Sequence, residues 1–152
     1  MNPALSNPRL TQDVVAKRCL AFFCDAFVIG AICLFLSVFF GVFGFLTIGL
    51  GWHLFALLPL VPFCYHCFTL AQFGATFGQR FMGLCVRDVR SLAPPSLAQA
   101  VISTLCFYAT LATSGILLLV TLVTDGSRAL HDLAAGLIVV RADTLMDPII
   151  HE

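Results

Sequence analysis

Apolar positions along this chain fall into long blocks separated by short polar connections. The first block runs from Cys19 to about Ile48, the second covers residues 50–72 and the third residues 97–124. A membrane-crossing helix needs about 20 mostly apolar residues, so each of the first two blocks is long enough to cross once. As a continuous helix the first would extend about 45 Å, more than a hydrocarbon core of about 30 Å, so it tilts or its ends leave the membrane. The third block suffices for one span or for a hairpin that enters and leaves on one side, turning near Gly115; two full spans would need about 40 residues. Pro59 and Pro62 interrupt the second block and predict a kink, because proline removes a backbone donor.

The connection 73–96 contains a period-two stretch. Leu84 and Val86 fall on one face, and Cys85, Arg87 and Val89 on the other, which predicts a short strand. Residues Ala135 to Arg141 are β-branched and predict a second. An isolated pair of strands is marginal in water, so a sheet made of these two must lean on the helices. The pairing needs both segments on one side of the membrane, which favours the hairpin for residues 97–124. The predicted fold is an all-α membrane protein: a small helical bundle of two full transmembrane helices and a third apolar segment, with a two-stranded β pair at the cytoplasmic surface. Residues 1–16 read as a flexible cytoplasmic tail, 17–141 as the membrane domain, and 142–152 as a C-terminal tail.

Composition strengthens the membrane reading. Of 152 residues 60% are hydrophobic and 11% charged, where a soluble domain carries roughly a quarter charged. The formal net charge is zero, which excludes the basic field of a nucleic-acid binder. The polar first 16 residues and the length of the apolar run after Arg18 argue against a removable signal. Arg9, Lys17 and Arg18 precede the first block, and Arg80, Arg87 and Arg90 lie in the connection, while the turn at 49–51 has no basic residue. The positive-inside rule then places the N-terminus and the connection in the cytoplasm, with the chain in the plasma (inner) membrane. Expected partners are the lipid bilayer and a second copy or another membrane protein.

Asp25 is the one charge between residues 19 and 79. A carboxylate inside a membrane segment is a functional candidate and seldom faces lipid. Arg18 lies seven residues earlier, on the same helix face. Other motifs carry less. Cys64 and Cys67 have CxxC spacing, but a metal site needs about four ligands and no second pair exists, so they read as small hydrophobes and no cofactor is expected. His131 and Asp132 are adjacent and lack a nucleophile, so an enzyme is not expected; they read as the polar edge of a surface helix. Trp52, at the turn, reads as an interfacial anchor, with Gly41 and Gly44 allowing close helix approach.

Three blocks together resemble the RDD family of integral membrane proteins. They are Lys17-Arg18 with Ala21 and Asp25; Gly74 to Val86 (GATFGQRFMGLCV), similar to the pattern GxTxGKRxxGxxV; and Leu130 to Val140 (LHDLAAGLIVV), similar to LHDxxAGTxVV. The resemblance assigns the family's arginine and two aspartates to Arg18, Asp25 and Asp132. Arg80, His131, Gly78 and Gly83 are secondary candidates within the matched blocks. Gln79 stands where lysine is usual and Leu137 where threonine is common. The family implies transport of an unidentified ligand. One expectation is a transporter or transporter subunit, with cation or proton coupling through Asp25. The other is a membrane scaffold or assembly factor in which Arg18, Asp25 and Asp132 form a structural ion-pair network.

Overall fold

The computed structural model describes residues 14–112 and 130–145. The order is helix α1 (Val14–Leu46), a 3-10 helix (Leu50–Leu57), α2 (Leu60–Phe73), α3 (Phe77–Phe81), strand β1 (Leu84–Asp88), α4 (Leu97–Ala112), α5 (Leu130–Ala135), strand β2 (Leu137–Arg141) and α6 (Ala142–Leu145). The predicted tail 1–16 therefore yields its last three residues to α1, and the predicted C-terminal tail begins with α6. The turn expected near Gly115 lies outside the described residues.

α1 is long and apolar enough to cross a bilayer. Its exposed surface carries Phe27, Phe35 and Phe45, as a helix in contact with lipid requires. It ends where Ile48 and Gly49 take positive φ values of 52° and 97°. The chain then folds back so closely that a Cβ on Gly51 would lie 2.7 Å from the Gly44 backbone nitrogen. The indole of Trp52 covers Gly44, so this tryptophan packs on α1 as well as sitting at the turn. Gly41 faces open space and takes no part in the approach.

The second apolar block is not one continuous helix. The 3-10 helix and α2 meet at a 45° bend, and Pro59 occupies the break. Its ring nitrogen cannot donate, so the ladder is interrupted where the sequence predicts a kink. Together the two pieces make a second candidate for crossing, while α4 is apolar but shorter.

The connection 73–96 contains a helix the alternating pattern did not predict. α2 stops at Gly74 (φ 63°), and Thr76 and Gln79 then form a reciprocal capping box that starts α3. The two strands pair antiparallel with Val86 opposite Val139 and Leu84 opposite Arg141. Leu84, Val86, Leu137 and Val139 pack with Val14, Leu70 and Ala100 of three helices. Cys85, Val89, Ile138 and Val140 fill a second cluster with Ala75. The sheet thus leans on the helices by one face and on its own connections by the other. Strand pairing also brings the two ends of the segment 89–136 together.

At the start of α4, Ser96 and Gln99 cap each other reciprocally, and the Gln99 amide donates to Asp88 (2.7 Å) and to the Ala135 carbonyl. This one side chain ties β1, α4 and α5. The Gln99 amide and the backbone N–H groups of Ser91 and Arg90 hold the Asp88 carboxyl down to about 2. A depressed carboxylate contributes stability above its ordinary value of about 3.9 and loses it as pH falls through the folded value. Hydrogen exchange at Arg90 and Ser91, corrected for intrinsic rates, should therefore speed up as pH falls from 4 to 2, and Asp88→Asn should remove that dependence. Gly51→Ala should lower the melting temperature in detergent through a cost of about 1–3 kcal/mol, whereas Gly41→Ala should not.

Candidate functional site

Arg18 and Asp25 lie two turns apart on the face of α1 that meets the rest of the bundle, as their spacing predicts. Their partners differ. Both oxygens of Asp25 accept hydrogen bonds from neutral donors: the Tyr65 hydroxyl (2.7 Å) and the Gly78 N–H (2.8 Å) on Oδ1, and the Thr76 hydroxyl (2.5 Å) on Oδ2. Asp25 is 5% exposed, so these donors replace most of the water that a free carboxylate would hold. They come from α2, from the N-cap of α3 and from its first turn. The Tyr65 hydroxyl in turn accepts from the Phe77 N–H, and the Thr76 hydroxyl accepts from the Gln79 N–H.

Gly78 makes the contact possible. A Cβ there would lie 2.2 Å from the Ala21 carbonyl oxygen and 2.9 Å from the Asp25 carboxyl carbon. Ala21, 1% exposed, is small for the same reason: α3 sits directly on the α1 backbone at this point.

Arg18 pairs with Asp132, Nη1 to Oδ2 at 2.7 Å, across 114 residues of sequence. The Asp132 side chain is 3% exposed, so α5 presents this group inward. That corrects its reading as the polar edge of a surface helix. The His131 Nε2 lies 3.5 Å from the second Asp132 oxygen. Burial pushes the His131 imidazole below its ordinary value, against the pull of Asp132. Its ring stands edge-on to Phe107, with centroids 5.2 Å apart. Among the described residues no ion pair joins Asp25 to Arg18, so the expected three-member ionic network has two members, Arg18 and Asp132.

These groups wall a cavity of about 480 Å³, within the range of about 300–1,000 Å³ typical of small-molecule sites. Arg18, Asp25, Thr76, Gln79, His131 and Asp132 supply its polar wall. His66, Ser103 and Thr104 add further polar groups, and apolar side chains from α1, α2, α4 and both strands supply the rest. The Nε and Nη2 of Arg18 and the Nδ1 of His131, on two residues of this wall, are buried with no hydrogen-bond partner among the described residues.

The remaining candidates fall outside this wall. Arg80 is exposed and lies over the Phe73 ring, 5.2 Å from its centroid. Gly83 supplies a positive φ of 69° before β1, and its carbonyl accepts from the Ala142 N–H. Cys64 is exposed and Cys67 buried on α2. Sequence reasoning missed Thr76 and Tyr65. The capping pattern Thr-x-x-Gln at 76–79 was a legible sign for the first, whereas nothing in a single apolar segment marks the second.

The Asp25 cluster gives a direct expectation. Gly78→Ala should separate α3 from α1 and lower the melting temperature in detergent more than Gly30→Ala, whose Cβ meets nothing within 4 Å. Asp25→Asn removes one acceptor from three buried donors and should cost about 1–3 kcal/mol, read in the same melting experiment.

No curated protein and no solved structure matches the chain. The RDD family model matches residues 14–136, which include Arg18, Asp25, Asp132 and strand β1 and end just before β2. The match covers most of the chain, so this is a membrane protein belonging to the RDD family.

Proposed function

We propose that this chain is a multi-pass transporter or transporter subunit whose ligand binds in the cavity between α1, α2, α4 and α5. One observation carries the reading. Arg18 and Asp25 come from the first family block, Thr76 and Gln79 from the second, and His131 and Asp132 from the third, yet all six wall the same cavity. A fold needing these residues only for separate local contacts has no reason to bring them around one space.

In this reading the N-terminus and the 73–96 connection are cytoplasmic, in the plasma (inner) membrane. Pairing of β1 with β2 then returns the chain to that side after the third apolar block. One copy supplies few membrane helices, so in this reading a second copy or another membrane protein completes the route. The reaction is transfer, and no residue acts as an enzyme's nucleophile. Asp25 positions α3 and α2 on α1; coupling to a cation or proton uses the second lone pair of Oδ2 or displaces one of the three donors.

The competing reading is a membrane scaffold, which the Arg18–Asp132 pair and the three hydrogen bonds to Asp25 favour. Proteoliposomes separate the two. Ser103 is buried on α4 at the cavity wall and is a partner in neither polar cluster, so Ser103→Phe fills cavity space without removing a hydrogen bond of either. Wild type should carry at least one of a panel of protons, alkali cations and small organic ions, and Ser103→Phe should reduce that flux about tenfold or more. Flux no greater than that of empty liposomes across the panel overturns transport in favour of the scaffold. Unaltered flux in the variant removes the cavity from the route.

A further inference from the structure

The cavity's polar and apolar walls are unlike each other, and the difference specifies a ligand. At one end stands the Arg18 guanidinium, whose side chain is 15% exposed. Its Nη1 is engaged by Asp132, while Nε and Nη2 are buried and have no partner among the described residues. Those two nitrogens lie on the same edge of the guanidinium plane. Their N–H groups form the side-on fork that matches two oxygens of a carboxylate or phosphate. The Nδ1 of His131, next to Asp132, is a third buried polar atom without a described partner. A buried charged donor without an acceptor is costly, so the fork calls for an anionic group with at least two oxygens.

The neighbouring carboxylates do not supply it. Asp132 meets Arg18 through Nη1, and Asp25 accepts from Tyr65, Thr76 and Gly78. Away from Arg18 the wall is mainly apolar, with Asp25, His66, Ser103 and Thr104 among its polar members. Phe22 lies one turn further along α1, with its ring 6.3 Å from Phe107 on α4, and Leu111 continues the wall one turn beyond. Arg18 itself stands at the margin of the first apolar block, the level at which lipid headgroups lie. A small hydrophilic anion would satisfy the fork and leave the apolar wall uncovered.

We propose that the cavity binds a membrane-derived anionic amphiphile, a single acyl chain with a carboxylate or phosphate head. The head occupies the Nε/Nη2 fork of Arg18, and the chain lies along Phe22, Phe107 and Leu111. This rests on the reading of the cavity as a ligand site and names the class of ligand.

The test uses the full chain in nanodiscs of neutral phosphatidylcholine. Palmitate bearing a photoreactive diazirine is the probe, and mass spectrometry locates the cross-linked peptides. Label is expected on peptides carrying Phe22 or Phe107. Excess palmitate or hexadecyl phosphate should compete it away, and hexadecanol, hexadecyltrimethylammonium and inorganic phosphate should not. Arg18→Lys keeps a cation for Asp132 but has no fork, and should weaken labelling about tenfold; Ser103→Phe should do so by filling the cavity. A melting curve for each variant confirms that it is folded, and a variant that melts early is replaced by the other. Equal competition by the neutral or cationic amphiphile overturns the anionic head while leaving the cavity a ligand site. Competition by inorganic phosphate alone overturns the acyl requirement and points to a soluble anion. No label on any cavity peptide overturns both this proposal and the ligand-site reading.

Discussion

A carboxylate carried into an apolar helix has to find donors there, because burial strips most of its water. Asp25 finds three, and each comes from a different part of the chain beyond α1: the Tyr65 hydroxyl of α2, the Thr76 N-cap hydroxyl and the Gly78 N–H of α3. The helix N-terminus is suited to this use, since its first N–H groups lack partners and carry partial positive charge. The requirement propagates outward. α3 can supply those donors only if it touches the α1 backbone, which demands glycine at position 78 and a small residue at position 21. With α3 held there, β1 follows at once, and the sheet it forms with β2 brings α5 back to α1.

The return of α5 places Asp132 against Arg18, so the two polar clusters are successive consequences of one packing arrangement. They differ in kind. The Asp25 cluster uses neutral donors and leaves its carboxylate well supplied. The Arg18–Asp132 pair is ionic and, among the described residues, leaves part of the guanidinium unmatched. Buried ion pairs stabilise only when their remaining donors are also satisfied. An incomplete pair beside an apolar cavity therefore bears on ligand recognition, whereas the complete Asp25 cluster bears on assembly.

Several elements were legible because a local rule determines them. The alternation of Leu84 and Val86 against Cys85 and Val89 set the two faces of β1, and the register with β2 preserves that division. Pro59 marked the bend, and Gly44 the close approach of the turn. Other features resisted. α3 is only five residues long, too short for a hydrophobic period, and its signal lay in the capping residues Thr76 and Gln79. Asp132 read as a polar edge because six residues of helix cannot reveal which side a bundle will cover. Its link to Arg18 came through family resemblance.

Taken alone, the sequence determined the medium and the elements. Long runs without charge require an apolar solvent, and period, proline and glycine set most of the helices and strands within it. It also isolated Asp25 as a group needing an explanation. Only the tertiary structure decided which partner each charge has. Arg18 and Asp25 share a helix face, and their spacing suited a common network, yet one meets a carboxylate 114 residues away and the other meets a tyrosine, a threonine and a backbone N–H. Hydrogen bonds act over about 3 Å. Which groups come within that distance depends on how distant segments pack, and no periodicity within a segment encodes it.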